Sequence, residues 1–382
     1  MSTEKVIKKS PINELDFGSD SEDSDDDIVP RRIISKNKLD DTTKSIDNKP
    51  KKRFLDEDEE SDDDDDNNVV IKPKNNHPIK PTTSIINKEP VPVVFAKRPR
   101  TDYIFADTAT YSFKTWHQCF PDNKVTLRSL IFNPAWNEFF DMVEKKPYYS
   151  GMERILSDYL ERNKETIVPH AELVFNSFNV ISPDKIQVVI AGQDPYPGVN
   201  KIGDKMIPQA MGFSFSVPKN YPRPPSLQNI NQNLLDYKHI RKIPDSGCLS
   251  YWVLQGCFLI NAAFTTFFGK KNAHANVWKN FTDDLLAYIN TKCENIVFLV
   301  WGGFAHKLCL NIDPYRHHII TSSHPSPLGF NKTFSGQTYG KVKNERDRKV
   351  VSYPSFQATN HFGRANDYLK SVKKREILWD LF

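Results

Sequence analysis

The sequence has 382 residues, of which 38% are hydrophobic and 26% are charged, so the chain is long enough to bury a sizeable core. Its first residues are polar and no run of about 20 apolar residues follows, which excludes a membrane span and favours a soluble protein. Its five cysteines form no Cys-x-x-Cys pair, which favours a reducing intracellular setting. The first 100 residues carry 23 acidic and 19 basic side chains, whereas the remainder carries 25 and 33, and such a basic body indicates a polyanionic partner.

Residues 1–94 are predicted to form a disordered tail. They show no helical or strand periodicity, and Ser, Asp, Lys, Asn and Pro dominate them, so they cannot bury enough apolar surface to offset the entropy of ordering. Serines among acidic residues are candidate phosphorylation sites, and the basic clusters at 51–53 and 97–100 resemble nuclear-targeting signals. An equal alternative is that these charged segments are simply solvated and bind no receptor. The tail is a candidate site for a protein partner.

Residues 95–130 are predicted to be either an extension packed on the following domain or a linker, because their aromatic residues are scattered without a clear period. From residue 131 onward we expect a globular domain that reaches residue 382. Trp136, Phe139, Phe140 and Val143 recur at helical spacing, so helices should open this domain.

Four short apolar runs follow, and the segments between them are long enough for helical crossovers. The runs lie at 186–191, 257–260, 296–300 and 318–320, and the helical patterns between them lie at 226–235, 278–289 and 305–310. This alternation predicts an α/β fold, a three-layer α/β/α sandwich with a central four-stranded parallel sheet. Each run ends in polar or glycine residues, so the carboxyl ends of the strands should converge on one crevice.

Six segments, in this order and spacing, resemble the family 1 uracil-DNA glycosylases, enzymes that cut uracil out of DNA. Residues 192–196 are similar to the water-activating loop, 209–217 to the uracil-stacking segment and 222–230 to the proline-rich DNA-compressing loop. Residues 259–262 are similar to the uracil-reading strand, 300–303 to the Gly-Ser loop and 324–328 to the DNA-intercalation loop. The resemblance covers about residues 133–382.

Two residues carry the chemistry that this resemblance implies. Cleavage of the bond between C1′ and the uracil nitrogen passes through a sugar cation and a uracil anion, so the site needs negative charge near the sugar and donors near the base. By resemblance, Asp194 orients the attacking water and stabilises the cation, while His324 and the backbone N–H groups at Gln193 donate to uracil O2. Taken singly, Asp194 could be a loop-capping residue and His324 a surface histidine.

Three further side chains are expected to select the base. A buried carboxamide can donate to uracil O4 and accept from N3–H, which mismatches cytosine, and Asn261 takes that role. By resemblance, Tyr196 lies against uracil C5 and excludes the methyl group of thymine, and Phe215 stacks on the ring. For Tyr196 and Phe215 the alternative is an ordinary core aromatic residue.

The target base must leave the duplex, so a side chain should fill the space that it vacates. Leu328 resembles that apolar wedge. Small and proline-rich segments would hold the phosphates without reading sequence, and by resemblance the residues concerned are Pro224, Pro225, Ser226, Gly302, Gly303 and Ser326.

Some positions depart from the family pattern. Pro197 stands where the family usually has histidine, and Gly303 and Gly329 stand where serines are common. Insertions appear at 199–208 and 331–357. The second contains Lys341, Lys343, Arg346, Arg348 and Lys349 and is expected either to add phosphate contacts or to be a solvated charged loop.

We therefore expect a monomeric, monofunctional hydrolase of base excision repair that acts on single- and double-stranded DNA. It would release uracil, leave an abasic site and use no metal or organic cofactor. Two alternatives stay open: a DNA-binding replication or processivity partner with the same fold, and a glycosylase of another specificity. The abundance of Asn, Lys and Ile suggests an AT-rich genome, such as that of a large DNA virus or a protist. The compartment would be the nucleus or, for a virus, a cytoplasmic replication site.

Overall fold

A four-stranded parallel sheet forms the centre of the fold. The structure is a computed structural model that describes residues 105–380. The predicted disordered tail at 1–94 lies outside the described residues, as do residues 95–104 and 381–382. Within the described range, no helix is both long and apolar enough to cross a lipid bilayer.

The described chain alternates helices and strands. The α-helices are α1 Trp116–Cys119, α2 Asn137–Val143, α3 Pro147–Arg162, α4 Asn176–Val180, α5 Pro225–Asp236, α6 Ser250–Leu254, α7 Ala275–Lys292, α8 Gly302–Leu308 and α9 His361–Ser371. The strands are β1 Ile167–Val168, β2 Val188–Gly192, β3 Val199–Ile202, β4 Lys205–Pro208, β5 Cys257–Asn261, β6 Thr266–Phe267, β7 Val297–Trp301, β8 His318–Ser322, β9 Phe334–Gln337 and β10 Val350–Tyr353. Short 3₁₀ helices lie at Leu127–Leu130, Pro134–Trp136, Ala171–Leu173, Pro183–Lys185 and Glu345–Asp347.

The central sheet has the strand order β5-β2-β7-β8, and every neighbouring pair is parallel. All residues of β2 and β7 are buried, as expected for apolar runs that helices cover on both faces. The register pairs Gly192 with Asn261 and Trp301 with Ser322, so the last residues of neighbouring strands lie side by side. The predicted fold class and the four predicted strands are confirmed.

The helices that open the domain bury an aromatic core beside β5. Helix α2 buries Phe139, Phe140 and Val143, which recur at the spacing of one helical face. Trp136 stacks on Phe258 of β5 with ring centroids 5.3 Å apart. Helix α7 also packs against α2 and α3, which fixes these helices against the edge of the sheet.

Helix α8 differs from its predicted position at 305–310. It begins at Gly302, directly after β7, and ends at Leu308. Glycine ordinarily disfavours a helix, so the pattern of apolar residues placed the start too late. Gly302 has φ of +86°, a conformation that allows the abrupt turn from strand to helix.

The segment from residue 105 to 130 contributes to the same core. Tyr111, Phe113 and Leu127 are buried in it, and the indole of Trp116 donates to the carbonyl of Pro169 at 2.9 Å. A bridge between Asp107 and Lys219 joins the start of this segment to the chain that precedes α5.

Both insertions fold as antiparallel hairpins, β3 with β4 and β9 with β10. In the second, Arg348 is buried rather than available to phosphate, which corrects the expectation for this residue. Its guanidinium donates to the carbonyls of Thr338 at 2.9 Å and Gly340 at 2.8 Å and to the side chain of Asn311 at 2.9 Å. Arg348 therefore holds the hairpin together. The other four cations of the insertion, Lys341, Lys343, Arg346 and Lys349, are exposed.

Candidate active site

The expected site residues follow the carboxyl ends of the central strands. Gln193 and Asp194 follow β2, Asn261 ends β5, and His324 lies two residues after β8. Because all four strands are parallel, their carboxyl ends lie together at one end of the sheet, so these residues lie at the same end. Neighbouring strands are about 4.8 Å apart, which places β2 and β8, separated only by β7, about 10 Å from each other.

The Asp194 carboxylate is partly buried and held by the backbone. Its Oδ2 accepts a hydrogen bond from the backbone N–H of Asn272 at 2.6 Å. Its Oδ1 is buried and has no hydrogen-bond partner of ordinary geometry among residues 105–380. Burial raises the pKa of Asp194 to about 6, against the opposing effects of the Asn272 N–H, the nearby Thr266 hydroxyl and the positive charge of Lys271. The group is thus mostly ionised at neutral pH.

Asn272 also contacts Gln193. Its side-chain oxygen accepts a hydrogen bond from Gln193 Nε2 at 2.8 Å, and its backbone is left-handed, with φ of +57°. Sequence reasoning missed Asn272, because the residue lies in a short turn with no periodicity and its partners are distant along the chain.

The imidazole of His324 is neutral and has a defined tautomer. The backbone N–H of Ser326 donates to Nδ1 at 3.1 Å, so the ring proton must lie on Nε2. Burial lowers the pKa of His324 to about 4, which keeps the ring neutral at physiological pH. His324 therefore offers one N–H donor and no charge.

The ring of Phe215 lies between two strand ends. It meets Trp301 edge-on, with centroids 5.3 Å apart, and its centroid is 6.0 Å from that of His324. Phe215 has φ of +60°, an unfavourable conformation for a bulky residue that costs about 1 to 3 kcal/mol. Such strain is typical of functional sites, where the surrounding structure fixes a side chain in place.

Gly192 makes room for the Asn261 carboxamide. A Cβ atom at Gly192 would lie 2.3 Å from Asn261 Oδ1, which is closer than any real contact. The amide of Asn261 therefore lies directly on the backbone of the neighbouring strand. Gly192 is a second residue whose role in the site sequence reasoning missed, although it belongs to a recognised motif. Tyr196, on the loop after β2, is half-buried against the core.

The expected DNA-binding loops are tied to His324. Asn229, in the helix α5 that starts at Pro225, donates from its side chain to the carbonyl of Pro325 at 2.7 Å. This bond joins the helix that begins at Pro225 to the loop that contains Ser326 and Leu328. The Leu328 side chain is exposed at 44%, and the loop beneath it is closed by hydrogen bonds from Gly329 N–H to Ser326 O and from Ser323 Oγ to Gly329 O.

Gly303 and Gly329, the two positions where serine was expected, have different surroundings. A Cβ at Gly303 would meet nothing within 4 Å. A Cβ at Gly329 would lie 2.8 Å from the backbone oxygen of His324, so a side chain there would displace that residue. Within residues 105–380, no three His, Cys, Asp or Glu side chains lie close enough together to share a metal ion.

Comparison with known proteins places this geometry in a family. The sequence model of the uracil DNA glycosylase superfamily matches residues 178–347. The chain is 48% identical to a probable uracil-DNA glycosylase of Acanthamoeba polyphaga mimivirus over 296 residues, which are 78% of each chain. It is also 38% identical to the uracil-DNA glycosylase of Caenorhabditis elegans over 224 residues, which cover 58% of this chain and 76% of the relative.

Solved structures agree with the sequence comparison. The crystal structure of mimivirus uracil-DNA glycosylase matches with a TM-score of 0.69 and 49% identity, covering 74% of this chain and 99% of that one. A variant of the mimivirus enzyme in complex with UGI matches with a TM-score of 0.69 and 50% identity, covering 73% of this chain and all of that one. On the strength of the shared motifs, fold and sequence identity, the chain belongs to the family 1 uracil-DNA glycosylases.

Proposed function

We propose that Asp194 and His324 together hydrolyse the N-glycosidic bond of deoxyuridine in this chain. The chain is a uracil-DNA glycosylase of base excision repair, which releases uracil and leaves an abasic site. The observation that carries the proposal is the pair of different charge states at the carboxyl ends of the central strands, an ionised carboxylate after β2 and a neutral N–H donor after β8.

In this mechanism the two groups stabilise opposite charges of one transition state. As the glycosidic bond lengthens, positive charge grows on the sugar and negative charge on uracil O2. The Asp194 carboxylate stabilises the cation and orients water for attack at C1′. His324 Nε2–H donates to O2, and because the ring is already neutral it gains a hydrogen bond without giving up its own proton.

The selection of uracil is assigned to the three side chains that surround the base. Asn261 pairs with O4 and N3–H, Phe215 stacks on the ring, and Tyr196 closes the space at C5. The contact of the Asn261 amide with Gly192 supports this role, because an amide seated on a backbone cannot rotate freely to accept a different edge. The loop at Gln193 contributes backbone N–H groups near O2.

Release of free uracil from defined oligonucleotides tests the assignment. Uracil should leave single-stranded DNA and a U·G duplex, while thymine should stay in a T·G duplex. A mismatch glycosylase would require the duplex and would also act on T·G. A replication partner without catalytic function would bind all three substrates and release no base.

Replacement of Asn261 by Asp should weaken the rejection of cytosine. Asp presents only acceptors when ionised, or a single donor when protonated, so it no longer discriminates the uracil edge. Sites that pair a buried polar group with the substrate reject mismatched analogues by about 10⁴ or more, so the ratio of uracil to cytosine release should fall by about 10². Parallel release assays on U- and C-containing single strands measure this ratio. An unchanged ratio would remove Asn261 from the base-reading role.

Serine substitutions at the two glycines should have opposite results. Gly303→Ser adds a hydroxyl in open space and should lower KM for DNA with kcat unchanged. Gly329→Ser must move the His324 backbone, and because a displacement of about 1 Å in an active site can cost 10²-fold, kcat should fall by about tenfold or more. Steady-state kinetics of the two variants on the same oligonucleotide provide the comparison. Equal kcat values would mean that the loop at Gly329 tolerates a side chain.

We assign phosphate contacts to the wedge and proline-rich loops and to the four exposed cations of the second insertion. Each phosphate contact contributes about 0.9 to the slope of log affinity against log salt for duplex DNA. Replacing Lys341, Lys343, Arg346 and Lys349 with Ala should therefore make that slope shallower. Retention of the full slope would reduce the insertion to a solvated loop.

We propose the same three segments that the sequence analysis predicted. Residues 131–382 would form the catalytic domain, 95–130 an N-terminal extension and 1–94 a tail with a protein partner. We propose a monomer that acts on single- and double-stranded DNA in the nucleus or in a viral replication site. Analytical ultracentrifugation of the full chain would test the monomer, and a stable dimer would contradict it.

A further inference from the structure

The loop at 268–273, between β6 and helix α7, lies directly against the catalytic loop at 193–197. Three hydrogen bonds join the two loops: Gly269 N–H to Pro197 O at 3.0 Å, Asn272 N–H to Asp194 Oδ2 at 2.6 Å, and Gln193 Nε2 to Asn272 Oδ1 at 2.8 Å. Two of these three bonds involve Asn272. The loop therefore holds both polar side chains that follow β2.

The loop itself has little freedom. Thr266 Oγ1 donates to the carbonyl of Lys270 at 2.6 Å, and Lys270 N–H donates to Phe267 O at 3.0 Å, which closes a tight turn. Lys270 also pairs with Glu165 at 2.7 Å. The carbonyl of Asn272 then accepts from Ala275 N–H at 3.3 Å at the start of helix α7. Asn272 thus stands between a closed turn and an anchored helix.

The left-handed backbone of Asn272 decides where its N–H group points. Asn is among the few non-glycine residues that adopt this conformation readily, and it also carries a side-chain oxygen that glycine lacks. One residue can therefore give its N–H to Asp194 and receive the Gln193 amide. A β-branched residue would be strained in this conformation and would turn the peptide group away.

We infer that Asn272 is a positioning residue of the glycosylase reaction, which fixes the orientation of the Asp194 carboxylate through its Oδ2 and holds Gln193 beside it. Asn272 does not touch the reacting atoms in this role. The inference rests on the proposed catalytic function of Asp194. It adds to that function a second loop, 78 residues away along the chain, on which the geometry of the carboxylate depends.

The first test compares Asn272→Val with Asn295→Val. Asn295 is a matched control, because its backbone is also left-handed, with φ of +55°. Its N–H donates to Arg316 O and its side chain accepts from Tyr368. It precedes β7, however, and so lies at the amino ends of the central strands, away from the site. In single-turnover uracil release, Asn272→Val should lower the plateau rate by about tenfold. Asn295→Val should leave the rate unchanged.

The pH dependence of the same rate gives a readout that a merely structural role would not move. Loss of an N–H donor to the ionised carboxylate should shift the acidic limb of the profile upward by about one pH unit. Lys271 is the charged side chain that lowers the pKa of Asp194, and it is kept in every variant. If Asn272→Val folds and retains both the wild-type plateau and the acidic limb, the inference is wrong.

A second test does not depend on the folding of the valine variant. Asn272→Gly accepts the left-handed backbone and keeps the N–H donor, so the acidic limb should stay in place while release of Gln193 lowers the rate by about threefold. In the Gln193→Ala background the same change should then have no further effect. Fully additive losses would overturn the inference. An Asp194→Asn enzyme with a wild-type rate would instead overturn the proposed function on which it rests.

Discussion

Replacement of Asp194 by Asn is expected to lower the single-turnover rate of uracil release by about 10² to 10⁴. The amide keeps the size of the side chain and can still accept from Asn272 N–H, but it carries no negative charge to face the sugar cation. DNA affinity should stay close to that of the wild type, because no phosphate contact is lost. Rates from rapid quench and affinities from fluorescence anisotropy separate the two effects.

The wild-type rate should depend on the ionisation of the same group. Burial raises the pKa of Asp194 to about 6, and the reaction needs the ionised form. The rate should therefore be level above about pH 7 and fall tenfold per unit well below pH 6. In Asp194→Asn this acidic limb should disappear, since the titrating group is gone. An acidic limb that persists in the variant would belong to another residue.

The raised pKa also predicts the sign of a stability change. The folded state binds the Asp194 proton more tightly than the unfolded chain, so this group favours folding below about pH 4 and loses that contribution as the pH rises through about 6. At neutral pH the buried carboxylate costs up to about 3 kcal/mol. Asp194→Asn should remove this cost and raise Tm while it lowers activity, which differential scanning calorimetry can measure.

Asp184→Asn is a suitable control for both measurements. Asp184 precedes the same strand at its opposite end and pairs with Lys185 at 2.9 Å on the surface. Neither its rate nor its pH profile should differ from those of the wild type. Wild-type-like turnover by Asp194→Asn, set against this control, would contradict the catalytic role.

The four central strands could be predicted because their physical signal is local and strong. A run such as 296–300 is apolar without alternation, which occurs where both faces of a strand are covered. The polar residues that end such runs then converge by topology alone. The pairing of Gly192 with Asn261 depends in addition on the strand register, and the approach of Phe215 to His324 depends on the loop that carries Phe215.

The residues that sequence reasoning missed owe their roles to distant contacts. Asn272 meets Gln193 across 79 positions of the chain, and nothing in the local sequence of a short turn indicates which loop it will touch. Gly192 was recognised as part of a motif, whereas its function of making room for an amide on the next strand depends on the register of β2 against β5.

Arg348 was expected to be available to phosphate, whereas the structure shows it buried. A cluster of cations indicates an anionic partner only if the cations are solvated, and a sequence does not distinguish a solvated guanidinium from one that backbone carbonyls surround. The fork of an arginine can satisfy several carbonyls of a hairpin at once, and in this hairpin it does. The neighbouring lysines have no such geometry, and they are exposed.

His324→Ala should lower the rate of uracil release by about 10² to 10³, the usual loss when a single donor to a developing oxyanion is removed. The neutral ring and its Nε2 proton are already in place before the substrate binds, so the donor needs no reorganisation as charge forms on O2. His324→Gln keeps a side-chain N–H of similar reach and should lose less, about tenfold. The two variants together separate the loss of a donor from the loss of a ring.

The charge state of His324 predicts how the rate of uracil release changes with pH. Because burial lowers the pKa of the ring to about 4, the wild-type rate should not fall between pH 7 and 9, where a cationic histidine would lose its proton. His318 is the matched control, since it is the first residue of β8, the strand that His324 follows. Its ring stacks on that of Tyr368, with centroids 4.5 Å apart. His318→Ala should retain the wild-type rate. A decline of the wild-type rate centred near pH 6.5, absent from His324→Ala, would mean that the catalytic form of the ring is the cation and would reverse the proposed electrostatics of the site.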